Sequence, residues 1–458
     1  MSTTEPYTVM GNPIGHSDDG NKDPVNKRAL IAAKARKDQR EKFNNLMPHL
    51  TLELVKECLH KTRLSSSAGV DGMTVSQARE NADWLVPPLI DGIHKGKYNA
   101  PPVRRVYIPK ANGGERPLGV PEVIDRAIQA GMSKILNEIY EQDFLNSSFG
   151  FRPKLSCHHA LATVNQLLHG FKMNYALEVD IRDFFGSLNH EWLRKFLGLR
   201  IGDKRVLKLI DNWLKAGVME DGKRSVMESG TPQGGSISPL LSNIYLHYVL
   251  DLWFERKIKP RLRKRANLVR YADDFVILFT DRQDMEDASV LLRARLAQFG
   301  LAVADEKTHM TDLTLRENNG GQQRRRMTFL GFNIFRRKGR KGGGSAIVFQ
   351  TEAKRFTRAK AAVKEKLRKI MHWDLERQSD AINAVLVGHF NYYGLSGNTK
   401  KITTFWYRTI CLWRLSLSRR SQKGNVSWKV MDEILKRHKL VRPRIRHNYQ
   451  ELQSYVRL

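Results

Sequence analysis

Cysteine is almost missing from this chain: Cys58, Cys157 and Cys411 are the only three in 458 residues. They stand far apart and form no CxxC pair. That excludes a zinc ribbon and a disulfide framework, and it fits a reducing compartment. No apolar run is long enough to cross a bilayer, so no membrane partner is expected. The opening stretch MSTTEPYTVMGNPIGHSDDGNKD has neither a basic n-region nor an apolar h-region, which argues for the cytoplasm over secretion. No internal repeat is visible. Acidic residues are scarce too: 47 Asp and Glu face 78 Lys and Arg, a net charge of +31. Such a surface attracts polyanions and binds nucleic acid with strong salt dependence. A hydrophobic content of 41% still allows a large core, and the length suits roughly three domains.

The positive charge is uneven. From Arg336 to Leu458 there are 29 Lys and Arg against 8 Asp and Glu, a surplus of 21 in the last 123 residues. A boundary is therefore expected near the Gly-rich KGRKGGGS at 338–345. Residues 1–24 are polar and read as a disordered extension. Further on, VRRVYIPK and ERPLGVP read as a strand pair joined by ANGG at 111–114. PLLSNIYLHYVLDLWFERKI reads as one helix capped by Ser238, and MTFLGFNIF as one strand. Beyond the Gly-rich stretch the pattern is helical. Strands and helices mixed in this order predict an α+β core followed by a basic helical appendage.

The stretch LVRYADDFVILFT, 268–280, sets Asp273 and Asp274 side by side between strand formers. An ordinary hairpin turn explains an Asp-Asp pair, since Ala-Asp-Asp can end one strand and begin another. A second acidic strand end adds weight: EVDIRDFFGS carries Asp180 inside an apolar strand, with Asp183 three residues later. Antiparallel pairing of 175–181 with the 268–279 hairpin would gather Asp180, Asp273 and Asp274. Their mutual repulsion is relieved by a pair of Mg²⁺ ions, which at about 3.5–4 Å apart can activate a 3′-hydroxyl and stabilise a pyrophosphate leaving group. Together with the basic surplus, this is the arrangement of a nucleotidyl-transferring polymerase.

From about Leu50 to Tyr449 the chain resembles reverse transcriptases, above all those encoded by bacterial group II introns. Eight blocks occur in the family's order: YNAPPVRRVYIPK, ERPLGVPEVIDRAIQ, SFGFRPKLSCHHA, ALEVDIRDFFGSLNH, GTPQGGSISPLLSNIYL, RYADDFVIL, LGLAVADEKT and FLGFNI. The resemblance implies a right-hand polymerase fold: fingers and palm over 25–340, a helical thumb or maturase domain over 341–415, and a basic nucleic-acid-binding segment over 416–458. It gives Asp180, Asp273 and Asp274 the metals, with the Ile181 carbonyl a further ligand. Lys110 and Arg116, across the ANGG turn, would grip the incoming triphosphate. Gln233 would touch the nucleotide, with Gly234 and Gly235 allowing close approach of the backbone, and Lys307 is a further nucleotide contact. Leu330 and Gly331 would form the primer grip.

Phe185 stands where the family carries an aromatic that excludes a ribose 2′-hydroxyl, so deoxynucleotides are expected. In the C-terminal third Arg408, Arg414, Arg419, Arg420, Arg442 and Arg444, with the aromatics among them, would hold RNA or DNA. The implied partners are an intron RNA template, a DNA primer or target, and deoxynucleoside triphosphates. The family's optional HNH nuclease would need His and Cys pairs that this chain lacks, so none is expected. Either an intron-encoded enzyme that is also a maturase or a host-adopted relative in repair or phage defence fits these residues. A splicing factor with a dead polymerase fold fits poorly, because the aspartates are intact.

Overall fold

Helices come first in the computed structural model, which describes residues 24–109, 114–220, 223–225, 234–314, 326–338, 345–420 and 424–458. All but the last residue of the extension expected at 1–24 lies outside them. Pro24–Lys37 (α1), Leu52–Lys61 (α2), Val75–Glu80 (α3) and Ala82–His94 (α4) precede the first strands. Their starts are written locally: Thr51 accepts from the Leu54 N–H, and Thr74 with Gln77 forms a capping box. Val103–Pro109 (β1) and Glu115–Val120 (β2) pair antiparallel as the sequence suggests, with Ile108 opposite Arg116.

Val123–Asp143 (α5) is apolar on several faces and is buried along much of its length beneath α1 and α2. Cys157–His169 (α6) leads into Tyr175–Asp180 (β3). Phe184–Ser187 (α7), His190–Leu197 (α8) and Lys204–Lys215 (α9) follow, then the short strands Val218–Glu220 (β4) and Lys223–Ser225 (β5). β4 joins β1 in parallel, Val103 against Val218, so the sheet β2-β1-β4-β5 is mixed and not wholly antiparallel. Three-residue strands are too short to show alternation, which is why the sequence pattern misses them.

Ser238–Leu246 (α10) departs from its sequence reading in two ways. Ser238 lies inside the first turn, and Ile237 holds the cap position without a side-chain bond. The helix then widens into π turns at His247–Asp251 and Phe254–Ile258. Such turns often accompany functional sites.

The central sheet has the order β6-β7-β3-β8, where Ala266–Tyr271 (β6) and Asp274–Phe279 (β7) form the hairpin and His309–Asp312 (β8) the far edge. Arg282–Gln298 (α11) lies against β3 and β7. Alternation along the strands feeds two cores. Leu177, Val179, Phe275 and Ile277 pack with α5 and α10, while Ala176, Val269, Val276 and Leu278 pack with α6.

The stretch read as one strand at 327–335 is a hairpin, Met327–Phe329 (β9) and Phe332–Lys338 (β10). Leu330 and Gly331 both take positive φ, 49° and 77°, as a two-residue turn requires. Ser345–Thr351 (β11) then pairs with β10, Phe332 opposite Thr351 and Lys338 opposite Ser345. The boundary expected at 340 thus falls between two paired strands, and the region from 341 is not all helical. Gly-rich sequence marks chain reversal as readily as a domain border, and the strand register decides between them.

Ala353–Lys369 (α12), Leu375–Tyr393 (α13), Thr399–Ser418 (α14) and Trp428–Arg437 (α15) surround a separate core that includes Val363, Leu386, Phe405, Trp413 and Met431. Tyr449–Ser454 (α16) leaves that core. Leu452 is buried with Phe149, Leu161 and Phe332 beside α6, and the Arg457 N–H donates to Thr163 Oγ1 at 3.2 Å. The segment 416–458 is therefore divided: its last residues dock on α6, because Leu452, Tyr455 and Val456 supply apolar surface to that core.

Candidate active site

Strand register brings the carboxylates together. Asp180, at the end of β3, is the cross-strand partner of Asp274. Asp274 is also paired with Tyr271 across the hairpin, which leaves Ala272 and Asp273 as the two turn residues. Ala272 has φ 60° and Asp273 does not share the positive sign, the pattern of a type II′ turn. Alanine in that region is strained and needs support from below. A Cβ added to Gly150 would stand 2.3 Å from the Ala272 nitrogen, so the backbone at Gly150 presses directly against the turn.

Arg270 is the main strut. Its side chain is fully buried and all five of its N–H groups are used. Nε donates to Asp251 Oδ1 at 2.8 Å, and Nη2 to Asp251 Oδ2 at 2.6 Å and Ser148 Oγ at 2.8 Å. Nη1 donates to Asn243 Oδ1 and to the Ala272 carbonyl oxygen, each at 3.0 Å. Asn243 Nδ2 in turn donates to the Gly150 carbonyl oxygen at 2.7 Å. Sequence reasoning passed over Arg270, Asp251, Asn243 and Gly150. The available signal was an arginine inside an otherwise apolar strand, which has to find acidic and polar partners if buried.

The Asp274 carboxyl is pushed up to about 7 by burial first, then by the charges of Asp273 and Asp180. Donation from the Leu330 N–H opposes the rise, so the β9–β10 turn bears on this carboxylate. Behind it, burial pushes Glu178 up to about 7, although Thr311 Oγ1 and the Thr328 N–H donate to it at 2.8 and 2.7 Å. Asp180 faces the opposite charge: Lys307 Nζ lies 2.5 Å from its Oδ2, and its own carbonyl accepts from the Ala304 N–H at 2.8 Å. Of the two nucleotide contacts expected near Asp180, Lys307 therefore touches a carboxylate directly. Phe185, on α7, is half-buried with its ring 5.4 Å from that of Phe184. A left-handed Asp183 (φ 38°) starts that short helix.

The carboxylates fit Mg²⁺. They offer only hard oxygen donors, and crowding of like charge helps to raise Asp274. Among the described residues no three His, Cys, Asp or Glu side chains converge into a ready cage. Mg²⁺ does not need one, since it usually takes one or two carboxylates and completes its shell with water and substrate phosphates. Among the described residues, the Lys307 ammonium stands against Asp180.

Lys110 and Gln233 lie outside the described residues, and of Arg116 only the backbone, in β2, is described. Gly234, with φ 129°, comes close to β2: a Cβ there would be 2.4 Å from the Gly119 carbonyl oxygen. The close approach that this glycine permits is thus to the strand carrying Arg116. Leu330 and Gly331 sit under α13, whose Tyr392 hydroxyl donates to the Leu330 carbonyl at 3.0 Å.

The C-terminal arginines divide. Arg414 stacks 4.7 Å from the Trp428 ring and donates to the Val426 carbonyl, and Arg420 donates to the carbonyls of Met371 and Trp373. Those two hold the helical domain together. Arg408, Arg419, Arg442 and Arg444 are exposed. Of the aromatics, Phe405 and Trp413 are core residues, while Tyr407 lies exposed beside Trp428.

A carboxylate-bearing hairpin on a four-stranded antiparallel sheet, with a lysine set against one of the carboxylates, is the palm of a template-directed polymerase. Residues 108–334 match the family model described as reverse transcriptase (RNA-dependent DNA polymerase). The group II intron-encoded protein LtrA of Lactococcus lactis is 37% identical over 217 residues, which cover 45% of this chain and 36% of that one. Protein YkfC of Escherichia coli is 37% identical over 240 residues, covering 46% and 62%. An uncharacterized 91 kDa protein in the cob intron of Schizosaccharomyces pombe is 26% identical over 406 residues, covering 74% and 48%. The chain thus spans between about a third and two thirds of these relatives' own length. The reverse transcriptase match and these relatives support a group II intron reverse transcriptase and maturase family for the chain. Among the described residues no helix is long and apolar enough to cross a membrane.

Proposed function

We propose that the chain is a cytoplasmic RNA-directed DNA polymerase that also binds structured intron RNA as a maturase for splicing and retrohoming. The observation that carries the first part is the register that pairs Asp180 with Asp274 beside the Asp273 turn. In the reaction the primer 3′-oxygen forms a bond to the α-phosphorus of a deoxynucleoside triphosphate, and the bond to pyrophosphate breaks. When bound, two Mg²⁺ ions supply charge neutralisation for the attacking oxygen and the leaving group. Asp180, Asp273 and Asp274 would hold them, and the Arg270 network keeps the turn in place. Lys110, Arg116 and Gln233 receive the triphosphate, Phe185 bars a 2′-hydroxyl, and Leu330 with Gly331 sets the primer end against Asp274. Fingers and palm run from 25 to 351, taking in the β10–β11 pair. The helices from Ala353 to Arg437 form the basic thumb and maturase domain.

Primer extension on an RNA template tests the polymerase. Asp273→Ala and Asp180→Ala should each lower the rate by several orders of magnitude while RNA binding persists, because stabilisation of transition-state charge is lost. Near wild-type extension by either variant would sink the assignment. The maturase part is tested at near-physiological salt by comparing the RNA transcribed around the gene with an unrelated RNA of equal length. Equal affinity and no gain in splicing would remove it.

A further inference from the structure

The chain between α15 and α16 lies along α13 in a way that fixes its shape. At one end the Val441 N–H donates to Asn383 Oδ1 at 2.8 Å, and Asn383 Nδ2 donates to the Lys439 carbonyl at 3.1 Å. At the other end the N–H groups of Arg446 and His447 donate to the Gly394 carbonyl at 2.7 and 3.1 Å. Along α13 the step from Asn383 to Gly394 is roughly 16 Å at about 1.5 Å per residue. Between Val441 and Arg446 the chain must cover that distance in five residues, and a fully extended chain manages about 3.3–3.6 Å for each. The segment is therefore held near its full length.

An extended chain turns alternate side chains to opposite sides. Val441 and Ile445 pack against the helical core, with Pro443 half-buried between them. Arg442, Arg444 and Arg446 are exposed. Among the described residues none of the three has a side-chain hydrogen bond or an acidic partner, unlike Arg414 and Arg420. The result is a row of three guanidinium groups about 6.6–7 Å apart at their roots. That is comparable with the step between neighbouring phosphates of one nucleic-acid strand. No exposed aromatic stands in the row, so its chemistry is that of charged forks.

We propose that Arg442, Arg444 and Arg446 form a backbone comb that grips successive phosphates on a strand of folded RNA, without reading its bases. The comb rests on the maturase reading for the source of that RNA, but its own chemistry is phosphate recognition by evenly spaced forks. Holding the comb on α13 means that the ordering cost of its backbone is met in folding and not on binding. The row also ends beside Tyr392 and Tyr393, which touch the Leu330–Gly331 turn.

The test is the salt dependence of binding to a long structured RNA, measured for the full chain and for the Arg442→Gln/Arg444→Gln/Arg446→Gln variant. Each lost phosphate contact lowers the slope of log K against log salt by ~0.7–0.9, so a fall of about 2–3 is expected. The triple Arg→Lys variant should keep the slope and weaken binding, because it retains the charge but loses the fork. An unchanged slope in the Gln variant would overturn the comb. Primer–template DNA–RNA hybrid is titrated in parallel, and a fall confined to that ligand would overturn the assignment to folded RNA. Neither readout requires splicing or synthesis, so failure of the comb and failure of the proposed function are separable.

Discussion

Arg270 and Asp251 are both fully buried and meet through two parallel hydrogen bonds, with the guanidinium also holding the Ala272 carbonyl of the Ala272–Asp273 turn. Removing one member of such a pair costs about 3–5 kcal/mol, since the other charge is left without a partner. Arg270→Ala and Asp251→Ala should therefore unfold the protein at much lower temperature. Gly150→Ala is the more selective probe, because its added methyl group would push on the Ala272 nitrogen. It should lower the maximal rate of primer extension more than it lowers the melting temperature. A normal rate in a well-folded Gly150→Ala protein would show that the turn tolerates displacement.

Lys307 and Asp180 form an exposed pair, so its intrinsic worth is only about 0.2–1 kcal/mol. If this ammonium competes with a metal ion for Asp180, Lys307→Ala should lower the Mg²⁺ concentration for half-maximal synthesis by up to about fivefold. Titration of Mg²⁺ at saturating nucleotide reads this directly. An unchanged Mg²⁺ requirement with a raised nucleotide requirement would assign Lys307 to the triphosphate instead.

Phe185→Val should admit ribonucleotides while leaving deoxynucleotide use largely intact. The ring is half-buried and packs against the main core from outside it. Competition between the two sugars during primer extension checks it, and undiminished discrimination would return Phe185 to a packing role.

Arg116→Ala and Lys110→Ala should raise the nucleotide concentration needed for extension, each losing a charge-assisted contact worth roughly 1.5–3 kcal/mol. Weaker primer–template binding at unchanged nucleotide dependence would instead put them along the nucleic acid.

His389 gives the helical domain a pH dependence. Burial depresses it from 6.5 to about 4; its ring stacks 3.7 Å from that of Phe405, and its Nε2 has no hydrogen-bond partner among the described residues. Between those values the unfolded chain takes up a proton that the folded chain refuses. Stability is therefore full above about 6.5 and falls as the solution is acidified toward pH 4, by about 1.4 kcal/mol for each pH step of one in that window. Melting temperatures at about pH 7.5 and about pH 5 should differ less in His389→Leu than in the parent. An equal difference would assign the acid sensitivity to other groups.

What the sequence by itself determined is what short-range chemistry can write. The β6–β7 hairpin was legible because Ala-Asp-Asp interrupts two apolar runs, and Asp180 because an acid closes an apolar strand. The long helices were legible from their periodicity, and the nucleic-acid class from a charge of +31. Tertiary structure decided whatever depends on partners distant in the chain. β4, β5 and β8 are strands only because other strands lie beside them, and the split of 327–335 came from the Leu330–Gly331 turn meeting Asp274 and Tyr392. Arg270 looked like one basic residue among 78 until folding surrounded it with Asp251, Asn243, Ser148 and Ala272. The C-terminal arginines differ for the same reason. Arg414 and Arg420 found carbonyls and a ring within reach, while α13 stretched the chain at 441–446 and turned Arg442, Arg444 and Arg446 outward. A side chain's type is written in the sequence, but whether its charge faces a partner or the solvent is a property of the packed chain.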